Sequence, residues 1–200
     1  MKKTLITVSA IMFQASAVYG ACNLNTDVEQ SKVSELIFGI ERSPTEYQSL
    51  LKIREVIYNK DYDTKYIECI LNANPRFHSR NNDSINLFSI YARNINKNHE
   101  KIKIEDEKTV TDILTRATDN YTLVESARAL RVFRSESSIR ILDDILSSGL
   151  ADPVKSEAVN SLIYVGNSLA VKILRINVDN DKLSENTKSL IIEGLNFLTR

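Results

Sequence analysis

Two stretches of this chain repeat each other 32 residues apart, Thr122 to Leu142 and Val154 to Leu174. Leu130 falls on Leu162, Phe133 on Val165, Ile139 on Val171 and Leu142 on Leu174. Small residues keep step as well: Ser126 falls on Ala158, Ala129 on Ser161 and Ser138 on Ala170. A unit of this length is one supersecondary motif that cannot bury its apolar face alone, so copies must stack. The pattern predicts an all-α chain: an α-solenoid of antiparallel helix pairs, wound as a right-handed superhelical stack.

The second copy shows how the unit works. Val154, Ala158, Ser161, Leu162 and Val165 recur at spacings of three and four, which places them on one helical stripe. Ala158 and Ser161 are small, so a neighbouring helix can come close there. Gly166 and Asn167 break the helix, with glycine suited to a left-handed C-cap. Ser168 is expected to cap the next helix, which carries Val171 and Leu174 inward. A third copy begins near Thr187, where Ile191, Gly194, Leu195 and Leu198 align with Ala158, Ser161, Leu162 and Val165 at an offset of 33. This half unit is expected to close the stack.

The segment VKSEAVNSLIYVGNSLAVKIL resembles the HEAT-repeat family, including its short bacterial lyase-like variety. Lys155, Ala158, Leu162, Gly166, Ala170 and Leu174 carry the likeness: a basic residue after valine, then alanine, leucine and a glycine turn. The first copy departs from it, with Leu123 for the basic residue and Arg134 for the turn glycine. The resemblance covers 120–200 and implies a protein-binding scaffold. Some lyase-like relatives act on bilins, but the motif defines shape, so no catalytic role carries over with it.

The first 20 residues read as an export signal. Lys2 and Lys3 form a basic start, Leu5 to Phe13 is mostly apolar, and Val18 and Gly20 are small enough for cleavage after Gly20. The apolar run is too short for a stable membrane span, and no later stretch is long enough for a transmembrane segment. The expected product is a single helical-repeat domain over 21–200, irregular over 21–108 and regular over 109–200, in the periplasm or secreted. Removing Lys2 and Lys3 leaves 24 basic against 26 acidic residues. A net charge near −2 argues against non-specific nucleic-acid binding. The scarcity of glycine and proline suits helices.

Cys22 and Cys69 both remain after cleavage. In an oxidising compartment an even pair reads as a disulfide, which on the chain-entropy account stabilises the fold by roughly 4 kcal/mol. The alternative is a lipid anchor at Cys22. Tyr19-Gly20-Ala21 fits a lipobox poorly, because leucine normally stands where Tyr19 does. A lipidated Cys22 would leave Cys69 as a buried free thiol.

The N-terminal half carries helical patterns of lower regularity. Helices are expected over Val28 to Ile40, after the Ser43-Pro44 start, and around Tyr66 to Leu71 up to Pro75. Residues 76–83 form a polar loop, and Ser84 is expected to open a helix carrying Leu87, Phe88, Ile90 and Tyr91 inward. Asn94 to Lys108 is dense in Asn, Lys and Glu and reads as a long exposed connection. Val110, Ile113 and Leu114 resume the helical pattern.

Signals for chemistry are sparse. There is no phosphate-cradling glycine loop, His-x-x-x-His pair or Gly-x-Ser-x-Gly elbow in the sequence. Asn177, Asp179 and Asp181 alternate like calcium ligands, but Lys182 and Lys188 occupy the positions where an EF-hand needs glycine and an acid. A turn followed by a Ser184 cap accounts for them better. Glu105-Asp106-Glu107, flanked by Lys103 and Lys108, reads as a solvated charge run rather than a metal cluster. No cofactor and no metal are expected.

The repeat register singles out one surface. Arg140 and Lys172 occupy equivalent positions on successive second helices, as do Asp143 and Arg175. Together with Asp144 they are expected to form a mixed-charge ladder facing a protein partner. Arg128 and Arg131 on the first helix are expected to lie on the opposite, outer face. The leading expectation is thus a non-catalytic scaffold of the bacterial cell envelope. An immunity protein neutralising a periplasm-delivered toxin is a narrower form of it. An enzyme, lyase or hydrolase, with a scattered site is the alternative. Tyr91, Arg93, His78 and His99 are the residues that would have to converge in it.

Overall fold

The computed structural model describes residues 83–95 and 104–200. The expected signal segment, the Cys22 and Cys69 pair, the helices expected before Pro75, and both histidines lie outside the described residues. The chain divides into two compact units, 1–93 and 94–200, each taken by itself. Every regular element among the described residues is an α-helix.

Helix α1 (Asp83–Asn94), all but its last residue in the first unit, starts one residue before the expected Ser84, with an acidic side chain in its first turn. Leu87, Phe88, Ile90 and Tyr91 are buried, as the spacing predicts.

The second unit contains α2 (Ile104–Arg116), α3 (Asn120–Leu130), α4 (Glu136–Ser147), α5 (Asp152–Val165), α6 (Ser168–Asn177) and α7 (Glu185–Leu198). Helices α3, α5 and α7 pack side by side in chain order, and α2 lies against α3. Helix α6 packs on α4, and α5 touches both of them. First and second helices of successive hairpins therefore form two adjoining rows. The repeat stripe is the core between them: Leu130, Leu142, Ala158, Leu162, Ala170 and Leu174 are sealed from solvent.

Local sequence explains the ends of each helix. Asp119, Ser135, Asn167 and Ser184 sit at N-caps and accept from the backbone N–H three residues on. The cap of α6 is thus Asn167; the expected Ser168 is its first helical residue. Helix α5 has no side-chain cap and begins instead with proline in its first turn. Gly166 ends α5 in the left-handed region at φ 59°. Its repeat equivalent Arg134 takes the same conformation at φ 51°. The left-handed turn persists where the glycine does not, at a steric cost of about 1–2 kcal/mol for a residue with a Cβ.

The small residues do what the stripe implied. Ser161 Oγ donates to the Ala127 carbonyl at 2.9 Å, tying α5 to α3. A Cβ on Gly194 would lie 2.2 Å from Ile163 Cδ1, so α7 approaches α5 as closely as the glycine allows.

One expected connection is corrected. Residues 104–108 are the first turns of α2, not an exposed loop. Asp106 stands on the same stripe as Val110 and Ile113, is buried, and accepts from Asn94 Nδ2 at 2.9 Å. Glu107 reaches the start of α4, where the hydroxyls of Ser135 and Ser138 donate to its Oε1. The acidic triplet is not a solvated charge run: two of its three members accept hydrogen bonds from side chains of other segments.

Candidate functional site: the charged faces of the two helix rows

Between α3 and α5, the first-helix row commits its charges internally. Arg128 Nε and Nη2 donate to the two carboxylate oxygens of Glu157 at 2.8 and 2.7 Å. Its Nη1 donates to Glu125 at 2.7 Å. This bidentate fork joins α3 to α5, and Arg128 is only 8 % exposed. Arg131 adds a longer approach to Glu157 at 3.9 Å and lies 4.6 Å from the centroid of the Tyr164 ring. Arg134 covers the same ring at 5.5 Å. The expectation that Arg128 and Arg131 stand on a free outer face is therefore corrected. Both are drawn into the seam between successive first helices, because α5 presents Glu157 and Tyr164 there.

The second-helix row is different. Arg140 is exposed and pairs only with Glu136 on its own helix, four residues earlier, with both side chains about two-thirds exposed at 66 % and 65 %. Asp144, Lys172 and Arg175 are exposed. Among the described residues none of these three has a hydrogen-bond or ion-pair partner. Asp143 is half-buried and accepts from Asn177 Nδ2 at 2.9 Å, bridging α4 to α6. The five residues singled out from the repeat thus share one row. Four of them reach solvent, and the fifth ties that row together.

The turn after α6 is built as the sequence suggests. Asn177 also donates to the Ile173 carbonyl, and its Oδ1 accepts from Asn180. Lys182 Nζ reaches the Ser147 carbonyl, and Lys155 Nζ reaches the Lys182 carbonyl, both at 2.7 Å. Lys155, the basic position of the repeat, therefore ties α5 to the loop that follows α6. Among the described residues, no group of three or more His, Cys, Asp or Glu side chains stands close enough to hold a metal ion.

Among the described residues, Asp152 and Asp119 lie below the ordinary carboxylate value of 3.8. Asp152 at the start of α5 is lowered chiefly by the Ser184 side chain, against a smaller opposing effect of burial, with further help from Thr187 and Lys155. Thr187 Oγ1 donates to it at 2.9 Å. For Asp119, burial pushes upward, and the hydrogen bonds from Thr122 and its neighbours outweigh it. Asp152 does for the start of α7 what Glu107 does for α4: a carboxylate from the preceding hairpin secures the N-terminal turn of a later helix.

Of the residues that a scattered catalytic site would need, Tyr91 is buried in the first unit. No helix among the described residues is long and apolar enough to cross a membrane. The Arg128 fork escaped sequence reasoning; its one local trace is Glu125 three residues before Arg128, a spacing that puts the pair on one helix face. No family model, curated protein or solved structure matches this chain.

Proposed function

We propose that this chain is a non-catalytic protein-binding scaffold of the cell envelope, built as a HEAT-like stack, that engages its partner through the second-helix row. The observation that carries this reading is the unequal use of charge. Glu125, Arg128 and Glu157 are buried in a seam, whereas Asp144, Lys172 and Arg175 are exposed and have no hydrogen-bond or ion-pair partner among the described residues. Holding solvated, unpaired charges of both signs on one face adds little to folding, and such a face steers and orients a complementary protein surface. The basic, apolar and small-residue pattern of residues 1–20 supports export, and a mature chain beginning at Ala21 is the expected intact mass.

The test is the Arg140→Glu/Lys172→Glu double variant. It should keep the wild-type unfolding midpoint, because both residues are exposed, and lose quantitative capture of the envelope proteins that the wild type retains. The matched control is Asn160→Glu on the exposed side of α5. Arg128 and Arg131 cannot serve as that control, since reversing them would break the seam. Equal capture by the double variant and the wild type would refute the second-helix row as the binding face.

A further inference from the structure

Helix α6 fills a defined seat. It lies on α4 and α5, and Asn177 donates to Asp143 across the α4 edge. The α4 and α5 residues Ile139, Leu146, Val159 and Leu162 in this region are each no more than 1 % exposed. One repeat further on, the equivalent positions are Val171 and Val178 on α6 or at its end, and Ile192 and Leu195 on α7. Val171, Val178 and Leu195 are only half-buried. Ile192 is 48 % exposed where its equivalent Val159 is fully covered. The edge of α6 and α7 therefore presents the same apolar seat, open.

The polar contact in this open seat has changed sign. Arg175 replaces Asp143, is exposed, and has no hydrogen-bond or ion-pair partner among the described residues. An aspartate there accepts from an amide; an arginine needs an acceptor, and a carboxylate satisfies its fork best. We propose that the α6–α7 edge docks an amphipathic α-helix of a protein partner, with a carboxylate at the position where α6 carries Asn177. The incoming helix would continue the second-helix row by one member, its apolar stripe on Val171, Val178, Ile192 and Leu195. This rests on the scaffold reading above and names the partner element that the scaffold would hold.

The probe is a fluorescein-labelled, stapled peptide copying residues 167–180, made in two forms, Asn177→Glu and Asn177→Lys. Anisotropy titration against the full chain should show the Glu form binding about tenfold more tightly than the Lys form. The chain variant Arg175→Glu should reverse that preference. Ile192→Asp should abolish binding of both forms, with circular dichroism confirming unchanged helix content. Loss of binding in Ile192→Asp without any charge preference at position 175 would overturn the proposal, as would failure of both peptides to bind. Concentration-dependent self-association abolished by Ile192→Asp, with no competition from the peptides, would assign the edge to a second copy of the chain and also overturn it. If the peptides fail while Arg140→Glu/Lys172→Glu still impairs partner capture, the edge site falls and the scaffold stands. If capture too is unaffected, both fall.

Discussion

Replacing Arg128 by methionine tests the seam between successive first helices. The side chain spans Glu125 and Glu157 through charge-assisted bonds of 2.7–2.8 Å. Glu125 and Glu157 are 1 % and 9 % exposed at the side chain. Methionine keeps most of the volume, so the cavity contribution is small, and the loss is that of a buried cation from between two buried anions. Breaking one partner out of such a group costs about 3–5 kcal/mol. The exposed Arg140–Glu136 pair supplies the scale for comparison: an i,i+4 pair in water is worth about 0.3–0.5 kcal/mol. Urea unfolding of the full chain, followed by far-ultraviolet circular dichroism, should therefore show a large midpoint shift for Arg128→Met and almost none for Arg140→Met. Replacing the whole group by apolar residues, as Glu125→Leu/Arg128→Met/Glu157→Leu, should recover most of the loss, because the three most buried charges are removed together. Equal midpoints for Arg128→Met and Arg140→Met would refute the seam and with it the packing of α3 against α5.

Gly194→Ala sets helix propensity against space. Alanine gains about 0.8–1 kcal/mol of propensity, yet its Cβ would meet Ile163 Cγ1 at 2.5 Å. The expected net result is a lower thermal midpoint, from overpacking of about 1–3 kcal/mol, with recovery in Gly194→Ala/Ile163→Ala; a midpoint above wild type would show that α5 and α7 have room to separate. Asp152→Asn should reduce stability at neutral pH and make no difference in acid. The Asp152 carboxyl is lowered in the fold from 3.8, so its contribution is complete above the unfolded value and disappears as pH falls through the folded one. Unfolding midpoints of the two proteins should converge below about pH 4; a gap that widens on acidification would refute the link between Asp152 and the α7 cap.

The apolar repeat made much of the second unit legible. Leu130, Leu142, Leu162 and Leu174 are buried because a stripe at spacings of three and four has one place to go, whatever its neighbours. Charged residues at the margin of that stripe were harder. Arg128 is buried only because Glu157, 29 residues away, presents a carboxylate across the seam, and nothing in the sequence around Arg128 records that arrival. Asp106 was more accessible to reasoning, since it stands four residues before Val110 on the same face. Its neighbours Glu105 and Glu107 concealed it by making the segment look uniformly solvated. Of the second-helix charges, Arg140, Asp144, Lys172 and Arg175 are exposed, as residues opposite an apolar stripe should be. The half unit expected to close the stack leaves Ile192 and Phe197 largely in water, at 48 % and 73 % exposure.

The bonds that join one hairpin to the next share a narrow range of reach. Ser135 to Glu107 spans 28 residues, Ser161 to Ala127 spans 34, and Lys182 to Ser147 and Thr187 to Asp152 each span 35. Folding of residues 104–200 therefore never requires the closure of a loop much longer than one unit. Because closure entropy grows only as the logarithm of loop length, each added hairpin meets the same modest barrier as the one before it. Assembly should proceed as a zipper, quick for a chain of this length, with contact order set by the unit and not by the number of units.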